Sequence, residues 1–133
     1  ISNTSKGVQM EFNSSTLYKA GSADIRDEIK PKLQRVATEL LLLGDMPYTV
    51  AIEGHTDDTP IQTTRFPSNW ELSTLRATTI VRFFITQGLS PRNFKASGYA
   101  DVQPKLPNRT AAGKALPANR SKNRRIVLTV EYH

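Results

Sequence analysis

The sequence contains no cysteine, which excludes disulfide bridges, thiolate metal sites and cysteine nucleophiles. It has no apolar run near the roughly 20 residues that a membrane helix needs, and no recognisable signal peptide begins at residue 1. Its seven glycines are scattered singly, so it has no glycine-rich loop that would hold a nucleotide phosphate. These absences predict a soluble chain or fragment and argue against nucleotide binding.

The composition predicts a single domain that covers residues 1–133. A chain of 133 residues with 38% hydrophobic content is large enough for one core between two packed layers. The net charge of +6 is uneven, since residues 1–88 carry nine basic and ten acidic side chains whereas residues 89–133 carry nine and two. The basic C-terminal third suits nucleic acid, anionic lipid or an anionic polymer, or it is a solvated face; charge alone does not choose among them.

Four segments have the residue patterns of β-strands. They span residues 8–12, 48–54, 93–100 and 125–132. The second segment is β-rich and apolar, which is typical of a strand that is covered on both faces. The polar residues 13–16 after the first segment predict a turn.

The first predicted helix follows that turn. From Asp24 to Leu43, apolar residues recur every three or four positions, and Gly44 follows as a stop signal. Pro31 lacks a backbone donor, so this helix should kink there or be preceded by a separate first turn.

The second predicted helix begins with a capping box formed by Ser68 and Glu71 and is closed by Gly88. The stretch from 101 to 119 is rich in Pro and Asn and predicts a long loop with one helical turn. The resulting order is β-α-β-α-β-(α)-β. We therefore predict an α/β (α+β) two-layer sandwich with a mixed sheet of about four strands and helices on one face.

Arg76 lies on the apolar side of the second predicted helix. At 100° per residue from Leu72, it falls at about 40°, within the apolar stripe. A guanidinium keeps its charge at ordinary pH, so a buried one needs a carboxylate or an anionic ligand. Asp57 and Asp58, at the end of the preceding strand, are the expected partners. Such a pair either fixes the strand-to-helix connection or captures a zwitterion, with ammonium on the aspartate and carboxylate on the arginine.

Three other interpretations of the residues stay open. Glu53, His55 and Asp57 alternate along an extended segment and would suit a metal, although the usual ligand spacings are absent. His55 could act as a base in a hydrolase, but no nucleophile motif accompanies it. The basic segment 119–125 could contact nucleic acid, although no DNA- or RNA-binding signature appears.

Several motifs of the sequence resemble the OmpA-like peptidoglycan-binding domain, and within that family the periplasmic part of the flagellar motor stator B subunit. The matching stretches are FNSSTLYKAGSADI (12–25), IEGHTDDTPI (52–61), FPSNWELSTLRA (66–77), GYADVQP (98–104) and NRSKNRRIVLTV (119–130). They cover nearly the whole chain. FPSNWELS and NRSKNRR resemble the stator branch in particular.

The resemblance implies a β-α-β-α-β fold that binds the diaminopimelate of peptidoglycan stem peptides non-covalently, without catalysis and without a cofactor or metal. It places the zwitterion-binding pair at Asp57 and Arg76, with Asn69 and Arg124 as further contacts near the ligand. The remaining candidates that it implies are Thr56, Leu72 and Asn123.

The resemblance also implies a cellular context. It predicts a periplasmic anchor that forms a homodimer, does not bind nucleic acid, and is joined to a stator A subunit through an inner-membrane helix upstream. The alternative is an OmpA-like anchor of another envelope protein, of the lipoprotein or porin type. The segment between HTD and LSTLRA is longer than in compact members of the family, which leaves open whether residues 59–67 cover the ligand site.

Overall fold

The described residues form a mixed sheet of five strands. The structure is a computed structural model that describes residues 2–4 and 7–133. The strands are β1 (Ser2–Thr4), β2 (Gly7–Asn13), β3 (Tyr48–His55), β4 (Phe94–Gly98) and β5 (Arg125–Tyr132). They are ordered β1-β2-β5-β3-β4, with β3 and β4 parallel and the other neighbours antiparallel. The four predicted strands and their mixed sheet are confirmed, and β1 adds a short edge strand that the sequence did not indicate.

The described residues also form four helices. They are α1 (Ser14–Leu17), α2 (Lys30–Leu41), α3 (Asn69–Thr86) and α4 (Pro117–Asn123), with short 3-10 turns at Asp27–Ile29 and Pro91–Asn93. The order β-α-β-α-β-(α)-β is confirmed, and the helical turn expected within residues 101–119 is the helix α4, which begins at Pro117 and runs past that range to Asn123. Within residues 2–4 and 7–133, no helix has the length and apolar character needed to cross a membrane.

The predicted turn at residues 13–16 is wrong, because these residues form the single helical turn α1. The side chain of Asn13 accepts a hydrogen bond of 2.9 Å from the backbone N–H of Ser15 and so caps the turn. A capped turn of four residues with one apolar side chain, Leu17, is too short to show an apolar periodicity from which a helix could be predicted.

Pro31 does not kink α2, because it lies in the first turn of the helix, where its missing N–H has no helical partner. The predicted separate turn before it is present as the 3-10 turn Asp27–Ile29. Helix α3 begins as predicted after Ser68, whose hydroxyl oxygen accepts from Trp70 N–H at 3.2 Å and whose hydroxyl donates to the carboxylate of Glu71.

Both long helices pack on one face of the sheet. Side chains that alternate along β3 and β5 contact the apolar sides of α2 and α3 in one buried cluster. Its largest fully buried members are Tyr18, Phe84, Leu17, Leu33, Ile52, Ile80, Ile126 and Leu128. The predicted two-layer sandwich with helices on one face is confirmed.

Two glycines let α3 approach the sheet closely near its first turns. A Cβ added at Gly54 in β3 would lie 2.2 Å from the carbonyl oxygen of Ser73, and one at Gly98 in β4 would lie 2.4 Å from the backbone nitrogen of Thr74. Both obstacles are helix backbone, which cannot rotate away as a side chain would. The start of α3 is therefore fixed against the ends of β3 and β4.

We expect Gly54→Ala to lower the free energy of unfolding by about 1–3 kcal/mol, because the added methyl group forces α3 away from β3. Urea denaturation followed by circular dichroism measures this change. An unchanged denaturation midpoint would show that α3 can shift without cost and that the close approach is not required.

Candidate ligand-binding site

The candidate site lies where the end of β3 meets the start of β5. His55, the last residue of β3, is paired with Arg125, the first residue of β5. The antiparallel register therefore brings the residues after β3 beside the residues before β5. Asp57 and Arg124 meet there and form an ion pair between their side chains.

Asp57 is a buried carboxylate whose two oxygens both have protein partners. It is 5% exposed; Oδ1 accepts from the backbone N–H of Thr59 at 2.8 Å, and Oδ2 contacts Nη1 of Arg124. Thr56 fixes the adjoining backbone, because its N–H donates to the carbonyl oxygen of Ala100 and its hydroxyl donates to that of Asp57, each at 2.8 Å. The carboxylate is thus held in one orientation.

Arg76 is buried and has no carboxylate partner within residues 2–4 and 7–133. It is 7% exposed, and Nε donates to the carbonyl oxygen of Ser22 at 2.8 Å. Its guanidinium carbon lies over the ring of Tyr18, 5.0 Å from the ring centroid. The pKa of Arg76 is lowered, mainly by burial and also by the nearby charge of Arg124, while the Tyr18 side chain opposes this shift. The side chain nevertheless remains a cation at physiological pH.

The expectation that Asp57 or Asp58 pairs with Arg76 is wrong. Asp57 pairs with Arg124, and no acid of the described residues forms an ion pair with Arg76. Asp58 contacts Arg109 and Arg120, each at 2.7 Å. Burial raises the pKa of Asp58, but the hydrogen bonds and charges of these two arginines outweigh it, so that the pKa is lowered. Both aspartates form ion pairs with arginines that follow β4 in the chain. The sequence around the aspartates does not indicate these distant partners.

Asn69 and Leu72 hold the segment 59–67 against the start of α3. The amide nitrogen of Asn69 donates to the carbonyl oxygen of Thr59 at 3.0 Å, and buried Leu72 packs with Phe66. Residues 62–65 of this segment are exposed. The segment therefore flanks Asp57 as a folded loop, and the roles of Asn69 and Leu72 as ligand contacts stay predictions.

Asn123 is fully buried, and its amide group is bonded within the protein. Its Oδ1 accepts from the backbone N–H groups of Lys105 and Leu106, each at 2.9 Å. Its Nδ2 donates to the carbonyl oxygen of Leu106 and to Oδ1 of Asn108, each at 2.7 Å. Asn123 thereby ties the long loop after β4 to α4, and its predicted contact with a ligand remains untested.

His55 is held by its neighbours at the end of β3. Its ring stacks on Tyr99 with centroids 5.3 Å apart, and Nε2 lies 3.2 Å from Oε1 of Glu53. In residues 2–4 and 7–133, no three His, Asp or Glu side chains are arranged to hold a metal ion. The interpretation of Glu53, His55 and Asp57 as metal ligands therefore has no structural support.

Two residues that support the site, Ala100 and Ser73, were not identified as site residues from the sequence. Ala100 has a positive φ of 49°, which costs a residue with a Cβ roughly 1–2 kcal/mol, and its N–H donates to the hydroxyl oxygen of Ser73 at 3.1 Å. Its carbonyl oxygen accepts from Thr56 next to Asp57. The strand predicted over residues 93–100 included Ala100, but β4 ends at Gly98, and the only other signal for Ala100 was the GYADVQP match.

We expect the free energy of unfolding to fall as the pH drops below 6.5. Burial and the charge of Arg125 lower the pKa of His55 from 6.5, against the opposing effects of Glu53 and Glu11. Below pH 6.5 the unfolded chain therefore takes up a proton that the folded chain does not, until the pH reaches the lower folded pKa. His55→Gln should flatten the dependence below pH 6.5, measured by urea denaturation, whereas His133→Gln should leave it in place. An equal slope in wild type and His55→Gln would contradict this.

Comparison with known proteins relates this arrangement to a family and to several solved structures. Residues 17–120 match the OmpA family. The chain is 35% identical to motility protein B of Bacillus subtilis (strain 168) over 128 residues, which are 96% of this chain and 46% of that protein. The chain thus spans less than half the length of this relative.

Two solved structures share the fold. The periplasmic domain of Helicobacter pylori MotB superposes with a TM-score of 0.82 at 28% identity, over 97% of this chain and 78% of that one. The cell wall anchor of the T6SS from Pseudomonas aeruginosa superposes with a TM-score of 0.77 at 34% identity, over 94% of this chain and 81% of that one. The family match extends from Leu17 to Arg120 in α4, and so contains Asp57, Arg76 and the strands β3 and β4. The chain therefore belongs to the OmpA family.

Proposed function

We propose that this chain is a periplasmic cell-wall anchor that binds peptidoglycan non-covalently through the free end of diaminopimelate. The observation that carries the proposal is the buried guanidinium of Arg76, which has no carboxylate partner among the described residues. Its Nη nitrogens have no protein acceptor there, and neither is sealed from solvent. They are free to bind an anionic group that a ligand supplies.

The free end of diaminopimelate carries an ammonium and a carboxylate on one carbon. Asp57 accepts two hydrogen-bonded contacts from the protein, and a carboxylate offers about four lone-pair positions, so it retains capacity for an ammonium. Arg124 pairs with this carboxylate and its charge also acts on Arg76, so the uncompensated positive charge of Arg76 favours the ligand carboxylate. The set proposed to contact the ligand comprises Asp57, Arg76, Asn69, Arg124, Thr56 and Leu72, while the fully buried Asn123 is proposed to support it by holding the loop after β4.

The named relatives support an anchoring role. One matched structure is described as a cell wall anchor and another as a periplasmic domain of MotB. In this proposal residues 1–133 form a single binding domain of a flagellar motor stator B subunit. The full-length protein would be held in the inner membrane by an upstream helix, would form a homodimer and would work with a stator A subunit.

The second candidate function is anchoring of a different envelope protein to the same ligand. The 34% identity to the T6SS cell wall anchor over most of both chains favours it. Sequence upstream of residue 1 in the gene separates the two candidates. An inner-membrane helix containing an aspartate supports the stator, whereas a lipobox or a β-barrel supports the alternative.

Binding without chemistry or nucleic acid is part of the proposal. Because the His55 ring is stacked on Tyr99, we expect the protein to release no soluble fragments from sacculi. We also expect a chelator to leave binding unchanged. In the basic segment 119–125, Arg124 is paired with Asp57 and Arg120 with Asp58, while Arg125 lies 3.8 Å from a carboxylate oxygen of Glu11. These pairs reduce the positive charge available to a DNA backbone.

We expect Arg76→Ala to weaken co-sedimentation with purified, protein-free sacculi by about 30-fold or more. Loss of one partner from a desolvated charge contact costs about 2–5 kcal/mol, because the opposite charge loses its compensation. Arg82→Ala is the matched control, since Arg82 is an exposed arginine on the same helix and should bind as wild type does. Thermal denaturation must show that both variants are folded. A folded Arg76→Ala variant that binds normally would contradict the assignment.

A second prediction concerns the ligand. Amidation of the free diaminopimelate carboxylate removes the charge that Arg76 holds and leaves the ammonium for Asp57. Wild type should therefore bind the amidated peptide more weakly, whereas Arg76→Ala should hardly distinguish the two forms. Calorimetric titration with both peptides measures this difference. Equal binding of the two peptides by wild type would show that Arg76 does not bind the free carboxylate of the ligand.

A further inference from the structure

We infer that Tyr18 is a specificity-determining residue, which positions Arg76 so that the site prefers a carboxylate over an amide. The inference deepens the proposed function and rests on it. Tyr18 is 1% exposed and covers one face of the Arg76 guanidinium with its ring. No residue of the sequence motif around Arg76 could have indicated this contact, because Tyr18 belongs to the segment between α1 and α2.

Tyr18 contacts Arg76 at two points. Its ring lies under the guanidinium, and its hydroxyl donates to the backbone carbonyl oxygen of Arg76 at 2.5 Å. Burial raises the pKa of the Tyr18 hydroxyl well above its usual range, so the hydroxyl remains a donor at any physiological pH. One side chain therefore fixes both the backbone and the charged end of the arginine.

A compact turn supplies the other constraint on the guanidinium. Ser22 donates from its N–H and its hydroxyl to the carbonyl oxygen of Lys19, at 3.1 and 3.0 Å, and its hydroxyl oxygen accepts from Asp24 N–H at 3.1 Å. The neighbouring Ala23 is fully buried against Phe66 and Leu72. This packing places the Ser22 carbonyl oxygen, to which Arg76 Nε donates.

The two constraints leave one way for a carboxylate to bind. A guanidinium offers two edges for a bidentate contact, one formed by Nε with an Nη nitrogen and one formed by both Nη nitrogens. The bond to Ser22 occupies Nε, and the Tyr18 ring blocks rotation out of the plane. A ligand carboxylate must therefore approach the edge formed by both Nη nitrogens.

An aromatic ring in this position has a different consequence from an acidic side chain. The ring attracts the cation through its quadrupole but adds no opposite charge. The positive charge of Arg76 therefore remains available to a ligand, whereas an aspartate in place of Tyr18 would neutralise it.

Two Nη donors on one edge match the two oxygens of a carboxylate. An amide presents only one acceptor there, and its own N–H groups face the donors.

The test compares Tyr18→Leu with Tyr18→Phe, using diaminopimelate peptides with a free or an amidated carboxylate. The measured quantity is the ratio of the two affinities, obtained by calorimetric titration. Tyr18→Leu removes the ring, so the ratio should fall roughly 2- to 30-fold, mainly through weaker binding of the free acid. Tyr18→Phe keeps the ring and should stay within about twofold of the wild-type ratio.

Phe84→Leu is the control for a purely structural effect. Phe84 is a fully buried aromatic residue further along α3, so its loss should destabilise the fold and leave the ratio unchanged. A folded Tyr18→Leu variant with the wild-type ratio would overturn the inference. An equal fall of the ratio in Phe84→Leu would overturn it as well.

A measurement without ligand separates failure of this inference from failure of the proposed function. In the free protein, the nitrogen–proton NMR signal of Arg76 Nε should be shielded by the ring and protected from exchange in wild type and Tyr18→Phe. The shielding disappears with the ring in Tyr18→Leu, and the protection from exchange should be lost there as well. If the protection persists, Tyr18 does not position Arg76, whatever the ligand is. If the protection is lost but wild type binds neither peptide, the positioning stands while the selectivity and the proposed function fail.

Discussion

The buried, uncancelled charge of Arg76 is the constraint on which the site depends. A guanidinium does not give up its proton at physiological pH, so burial has to be compensated by contacts. The protein provides a ring and a carbonyl oxygen for this purpose, and the carboxylate of Asp57 pairs with Arg124 instead. The charge is therefore stabilised without being neutralised. A site of this kind retains affinity for an anion, which a closed ion pair would have lost.

Several costly features of the fold maintain this arrangement. The glycine at position 54 permits backbone contact between β3 and α3, and Ala100 adopts a conformation that is unfavourable for a residue with a Cβ. Ala100 in turn accepts the hydrogen bond from Thr56 that orients the backbone before Asp57. These features fix the start of α3 and the backbone before Asp57 at one end of the sheet. Stability and binding are thus linked through the same few contacts, and variants of the site need a folding control.

Much of the fold could be predicted because its signals are local. Alternation indicated β2, β-rich composition indicated β3, three- and four-residue spacing indicated α2, and the capping box of Ser68 and Glu71 marked the start of α3. Local signals failed at α1, which is too short to show a period, and at the edge strand β1. They also failed for the partner of Arg76, since the aspartates nearest in sequence bond arginines that are distant in sequence.

The sequence by itself determined the order of the elements, the placement of Arg76 on an apolar helical stripe, and the need for something to compensate its charge. Those properties depend on residue type and spacing within a few turns of chain. Only the tertiary structure decided that Arg124 forms an ion pair with Asp57 and that the ring of Tyr18 packs against the guanidinium of Arg76. The register of β3 on β5 and the packing of the turn beneath α3 set those distances. Electrostatic contacts change strongly over a few ångströms, and only the assembled fold fixes such distances between segments far apart in the chain.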